Sequence, residues 1–247
     1  MYNWQMLGGM NMNVKKSTRA LVLALILMLA LANAASAAVK MGVIRMPTTN
    51  GSVHVRSGRG TWYAIRGFAF HGDRVIILKT GSKWDNVRVV KTGLTGYVFN
   101  KYIVRMVDVT KLANWGTMAR IKTKYATSTV ALRTGPSTSY KAEQYMTPAN
   151  ALAILGKYGN WYEVQLVPSL TTGYVYKDYI TNGAYGVTTA GVNLRKSGSS
   201  SSKVLSTAPV GANITILKIG SKWSKVIYAG KTGYMYNKYI GVTDIAP

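Results

Sequence analysis

The 247-residue chain has no cysteine, two histidines, three phenylalanines and only seven acidic residues. Without cysteine there is no disulfide to brace a small domain and no thiolate nucleophile. His54 and His71 stand 17 residues apart in no metal-ligand spacing, which excludes the histidine and carboxylate set of a zinc amidase. The acids Asp73, Asp85, Asp108, Glu143, Glu163, Asp178 and Asp244 are scattered, so the paired acid and base of glycoside hydrolysis is missing. No segment is left over to house a catalytic domain. These absences predict a chain that is not an enzyme and needs neither cofactor nor metal.

Long hydrophobic runs are also scarce. Residues 20–32 form one unbroken apolar run of 13, preceded by Lys15, Lys16 and Arg19 and followed by Ala35-Ser36-Ala37. A basic start, a short apolar run and small residues at the end read as a signal peptide over 1–37, cleaved after Ala37. The run is short of the roughly 20 residues a membrane span needs. An uncleaved anchor is the alternative if residues 34–39 extend it. Export predicts a secreted or wall-associated protein with no stable membrane span after cleavage.

Against seven acids stand 31 lysines and arginines. Three of these lie in the leader, which leaves 28 basic and seven acidic residues, a net charge of +21 for the remaining 210. The basic residues run through the whole chain rather than forming a tail. Solubility is one use of such charge, but it also destabilises the compact state and attracts polyanions. Outside the cytoplasm those are cell-wall polymers, anionic lipid headgroups and stray nucleic acid.

What the chain has in abundance is a repeat. Arg56, Arg133 and Arg195 are each followed 28 residues later by Trp84, Trp161 and Trp223. Gly-Tyr follows at Gly96-Tyr97, Gly173-Tyr174 and Gly233-Tyr234, and Tyr-Ile begins six residues past each glycine, at Tyr102, Tyr179 and Tyr239. Three matching spacings make a tandem array, with units at 40–106, 119–182 and 183–243 and a linker at 107–118 that includes Trp115. About 60 residues per unit is near the lower limit for an independent core. Only five residues separate Ile180 from Gly186, so the second and third units are expected to hold a fixed orientation.

Within each unit the pattern is that of short strands. Val53 and Val55, Val130 and Leu132, Val192 and Leu194 alternate before the arginine, as in a half-buried strand. A Gly/Ser/Thr-rich loop follows, then an apolar strand with Val75, Ile77 and Leu78 in the first unit, Leu152, Ile154 and Leu155 in the second, and Ile214, Ile216 and Leu217 in the third. A turn delivers the tryptophan, Val87, Val164 and Val226 continue its strand, and the Gly-Tyr strand closes the unit. The fold class predicted is all-β, three tandem small antiparallel barrels, closure removing exposed strand edges.

The segments Val-His-Val-Arg-Ser-Gly, Gly-Ser-Lys-Trp-Asp-Asn-Val and Thr-Gly-Tyr-Val-Phe-Asn-Lys-Tyr-Ile resemble the bacterial SH3 (SH3b) domain. So do Val-Ala-Leu-Arg-Thr-Gly-Pro-Ser-Thr-Ser-Tyr in the second unit and Val-Asn-Leu-Arg-Lys-Ser in the third. The resemblance covers nearly all of residues 40–243 and implies that the three tandem small antiparallel barrels are SH3-like and serve as cell-wall targeting units that recognise peptidoglycan or its cross-bridge. The family's usual asparagine two residues before the arginine is His54, Ala131 and Asn193 here. Ser197 replaces the glycine two residues past the arginine, and the third unit is two residues shorter between Trp223 and Gly233. These departures argue against one ligand shared by all three units.

If Val98, Val175 and Met235 face the core, alternation turns Tyr97 and Phe99, Tyr174 and Tyr176, Tyr234 and Tyr236 outward. Trp84, Trp161 and Trp223 join them, with Trp62 and Tyr63 on the loop of the first unit, Tyr140 at the equivalent place in the second, and Tyr158 on its turn. Tyr97, Tyr174 and Tyr234 are also suited to capping a barrel. Flat aromatics beside Lys101, Lys177 and Lys238 suit a glycan or peptide stem bearing negative charge, and the first two units are the better equipped. The arginines are expected to hold loop carbonyls, with a ligand-carboxylate clamp as the alternative. The function expected is multivalent binding of peptidoglycan, with anionic wall polymer adding a salt-sensitive component. A protein-interaction array that recruits or regulates a wall hydrolase is the competing reading. Nucleic-acid binding is disfavoured by the leader and the wall-type module.

Overall fold

The computed structural model describes residues 39–112, 116–125, 127–167 and 169–243. The proposed leader at 1–37, Trp115 and Asp244 lie outside the described residues. Those described are almost wholly antiparallel β structure, with helix limited to 3₁₀ turns of three or four residues. No described helix is long and apolar enough to cross a membrane.

The first sheet comprises β1 (Met41–Ile44), β2 (Ser52–Arg56), β3 (Ile65–Phe70), β4 (Arg74–Lys79), β5 (Trp84–Val89), β6 (Thr95–Phe99) and β7 (Ile103–Arg105), in the order β3-β2-β6-β5-β4-β1-β7. After β8 (Val107–Asp108) come β9 (Gly116–Ile121), β10 (Val130–Arg133), β11 (Ala142–Met146), β12 (Ala151–Tyr158), β13 (Trp161–Leu166), β14 (Thr172–Tyr176) and β15 (Ile180–Asn182). The last set is β16 (Ala184–Thr188), β17 (Val192–Arg195), β18 (Val204–Ala208), β19 (Asn213–Ile219), β20 (Trp223–Tyr228), β21 (Lys231–Tyr236) and β22 (Ile240–Val242). The order β11-β10-β14-β13-β12-β9-β15 and the order β18-β17-β21-β20-β19-β16-β22 both repeat that of the first sheet.

Each set has an apolar cluster, and that of the third continues into the second set through Met118, Ala151 and Ala153. Ala69 on β3 and Ile103 on β7 belong to one apolar cluster with Val55, Val87 and Val98. In a flat sheet those two strands would lie about 28 Å apart at normal strand spacing, so the sheet curls to bring them together. Leu132, Val164 and Val175 occupy the matching places in the second cluster, and Leu194, Val226 and Met235 in the third. The repeated glycine before each tyrosine serves this crossing. A Cβ on Gly96, Gly173 or Gly233 would lie 2.5, 2.8 or 2.6 Å from the carbonyl oxygen of Arg56, Arg133 or Arg195. The arginine strand therefore passes too close for any side chain.

Two expectations need correction. Leu78 and Leu155 are not core columns: the register of the strand they share with β5 or β13 shifts at this position, and the bulge turns both outward to about half exposure, 48% and 49%. The loop after the arginine is also shorter than the sequence suggests, because β3, β11 and β18 follow it.

Within 107–118, expected as a linker, the described residues pack closely. β8 pairs with β22, Val109 and Leu112 enter the third core cluster, and residues 116–118 already belong to β9. β9 runs between β12 and β15, and its first residues, Gly116 and Thr117, pair with β19, which makes one continuous 15-stranded sheet. Arg120 reinforces the joint: its Nη1 donates to Asn182 O at 3.0 Å and Gly183 O at 2.7 Å, and its guanidinium lies 4.4 Å from the Tyr185 ring centroid. The first sheet touches the third set through Met41, Ile76 and Val187, a small apolar cluster, and through the hydrogen bond from Arg74 to Asn213.

Candidate functional site: an aromatic groove

The strand register sets the site. Trp84 opens β5 and pairs directly with Phe99 at the end of β6; Trp161 pairs with Tyr176, and Trp223 with Tyr236. Their ring centroids stand 5.4, 5.5 and 5.3 Å apart in tilted or edge-on geometry. Val98, Val175 and Met235 between the paired positions are fully buried, as alternation predicts. A 3₁₀ turn then follows each closing strand. Residues three apart eclipse in such a turn, which brings Tyr102 to 6.1 Å from Phe99 and Tyr239 to 5.8 Å from Tyr236.

The arginine has the structural role expected of it. Arg56 Nη1 donates to Tyr63 O at 2.8 Å, Arg133 Nη1 to Tyr140 O at 2.7 Å and Arg195 Nη1 to Ser202 O at 2.7 Å. Each bond spans seven residues and closes the loop after the strand. The turn before the tryptophan has its own anchors. Asn100 Nδ2 donates to Gly81 O and Ser82 O, and Asn237 Nδ2 to Gly220 O. In the first unit the buried Asp85 accepts from Gly81 N at 3.0 Å and from Arg105 at 2.7 Å.

Two grooves form over these residues. The first, of about 250 Å³, is lined by His54, Arg56, Thr61, Trp84, Phe99 and Tyr102, with Val53 at its edge. The second, about 620 Å³, uses the equivalent Ala131, Arg133, Thr138, Trp161, Tyr176 and Tyr179, and adds Tyr145 from β11. Basic residues frame the site unevenly. Lys101 and Lys238 occupy one position of the 3₁₀ turn, and Asp178 replaces them in the second unit, where Lys177 stands at the Asn100 position.

The thirteen aromatics expected at a binding face therefore divide. Trp84, Phe99, Trp161 and Tyr176 line grooves, and Trp223 and Tyr236 repeat their pairing. Tyr97 pairs with Arg56 and Asn86 instead, with the Arg59 guanidinium 5.6 Å from its ring. Tyr174 meets Tyr158 at 5.5 Å, and Tyr234 stands opposite Lys225. Tyr158 also donates to Glu163 at 3.3 Å, and the Glu163 carboxylate, with Tyr174 secondary, pushes its phenol pKa up. Tyr63 and Tyr140 pack on Gly58 and Gly135, whose added Cβ would fall 2.4 and 2.6 Å from the rings. Trp62, 80% exposed, touches Tyr63 outside the groove lining. Tyr102 and Tyr179 were legible in sequence as repeat marks but not as site residues, and Tyr145 carried no signal at all.

Residues 128–181 and 190–241 each match the bacterial SH3 domain. Both matched segments contain the arginine, tryptophan and closing-strand aromatic of their repeat, and the first of them contains the larger groove. Over 215 residues the chain is 23% identical to the Bacillus subtilis (strain 168) protein named "Putative N-acetylmuramoyl-L-alanine amidase YrvJ", covering 78% of this chain and 40% of that one. The chain thus spans about two-fifths of that relative's length. Among solved structures, NlpC2 from Trichomonas vaginalis aligns at TM-score 0.31 and 17% identity over 51% of this chain and 47% of its own. An NlpC/P60 family protein from Bacillus cereus ATCC 10987 aligns at TM-score 0.31 and 11% identity over 82% and 98%. Superpositions at that level establish no common arrangement of the whole chains.

Proposed function

We propose that the chain is an exported, non-catalytic, multivalent binder of the bacterial cell wall, built from three bacterial SH3 modules and directed to a peptidoglycan stem or cross-bridge. The observation that carries this reading is the recurrent pairing of a tryptophan with the closing-strand aromatic, beside an arginine, in all three repeats. Flat rings and a cation together fit a ligand with an apolar flank and negative charge. The +24 formal charge of the whole chain adds attraction to anionic wall polymer. Continuous strand pairing across the second and third modules holds their sites in fixed relation, which favours avidity where wall ligands match that spacing.

The local contacts of both histidines support the non-catalytic part of this reading: His71 Nδ1 lies 3.1 Å from Met46 N, and His54 packs on Phe68 at 5.2 Å. The resemblance to an amidase-named protein favours a second reading, in which the array recruits or regulates a wall hydrolase. Co-sedimentation with purified sacculi, with and without their anionic polymers and across a salt series, separates the two. Binding that survives stripping and moderate salt supports peptidoglycan recognition. Binding lost under both conditions leaves charge acting alone and overturns it.

A further inference from the structure

The two grooves differ at the cross-strand pair two residues before the arginine. In the first, His54 stands directly opposite Phe68; in the second, Ala131 stands opposite Tyr145; in the third repeat, Asn193 stands opposite Thr207. His54 stacks on Phe68 at 5.2 Å, and its Nδ1 accepts from Arg56 Nη2 at 3.2 Å. Both amino groups of Arg56 are therefore engaged, Nη1 by the loop carbonyl and Nη2 by the imidazole. Ala131 has nothing to offer Arg133. Among the described residues Nη2 of Arg133 has no acceptor, while Nη1 holds Tyr140 O as in the other repeats. The missing imidazole also accords with the larger space, about 620 Å³ against about 250 Å³.

We propose that Arg133 reads a carboxylate in the second groove, whose ligand is a short extended peptide ending in a free C-terminal carboxylate, and that His54 withdraws Arg56 from the same task in the first. The inference rests on the reading of these grooves as ligand sites and adds which one discriminates, and by what group. A guanidinium anchored at one end and free at the other meets a carboxylate without loss of loop structure. Trp161, Tyr176, Tyr179 and Tyr145 supply the flat walls. Tyr145 stands on β11, the terminal strand of its sheet. A peptide main chain can add to such an edge, which a sugar acid cannot do.

The test is calorimetric titration of the full chain with N-acetyl-trialanine in the L and D series, each as free acid and as C-terminal amide, with glucuronic acid as the sugar arm. The free acid of one series binds about tenfold or more tighter than its amide, the scale of a charge-assisted hydrogen bond. Ala131→His abolishes that discrimination, and the first repeat shows that histidine is accommodated at this position. His54→Ala adds a second discriminating site. Equal binding of acid and amide, no binding of either, discrimination untouched by Ala131→His, or preference for glucuronic acid would each overturn the proposal. Sacculus co-sedimentation beside it separates the two claims. Wall binding without acid discrimination removes the clamp alone, and discrimination without wall binding removes the wall reading alone.

Discussion

Arg105 Nη2 donates to Asp85 Oδ2 at 2.7 Å, yet the partners are unequally solvated: the Asp85 side chain has no exposed surface and that of Arg105 is 46% exposed. The cost of breaking the pair therefore depends on which side is removed. Arg105→Ala leaves a buried carboxylate with Gly81 N as its remaining partner, and is expected to cost about 3–5 kcal/mol. Asp85→Ala leaves an arginine that can turn to water and one unpaired amide, at about 1–3 kcal/mol. Denaturant melts of the two variants check the order; equal losses would contradict it.

Gly173 lies where an added Cβ would sit 2.7 Å from Leu132 Cγ and 2.8 Å from Arg133 O. Gly173→Ala forces apart the strand crossing beneath the second groove. The expected loss is about 1–3 kcal/mol, typical of overpacking, read as a lower denaturation midpoint. A change within experimental error would show that the crossing relaxes freely.

Arg120 bonds two carbonyls at the β15–β16 junction and covers the Tyr185 ring. Replacing it with alanine removes both contacts where the second and third sets of strands join, for about 1–3 kcal/mol. Lysine keeps the charge but cannot present the planar fork, so Arg120→Lys should recover only part of the loss. Full recovery by lysine would mean that the charge alone matters.

Phe99, Tyr176 and Tyr236 are half-buried on the outer side of strands whose inner residues are Val98, Val175 and Met235. The triple change to serine should leave the far-ultraviolet spectrum and cooperative melt in place while sacculus binding disappears. Unchanged affinity would end the proposal that the aromatic grooves bind the wall.

Val98, Val175 and Met235 were legible as core because they alternate with the outward aromatics. The strands β3, β11 and β18 were not, and burial explains why: five residues of β11 include one buried side chain, Met146, and five of β18 only Ala208. With no alternating apolar face, their strand character comes from pairing with β2, β10 and β17. Val109 and Leu112 fell in a stretch read as linker because two apolar residues carry no period. They are core only because β8 aligns with β22.

From the sequence alone came the repeat, its 28-residue interval from arginine to tryptophan, the all-β class, and the identity of the paired aromatics. Those are local patterns, set by side chains that alternate along one strand or recur at one interval. Only the tertiary structure decided that Tyr102 and Tyr179 belong to the grooves, that Tyr97 and Tyr174 do not, and that His54 occupies an arginine which Ala131 leaves open. Such facts depend on register between strands distant in the chain. A side chain's neighbours across a sheet are fixed by pairing and curl, and neither is written in its own neighbourhood of sequence.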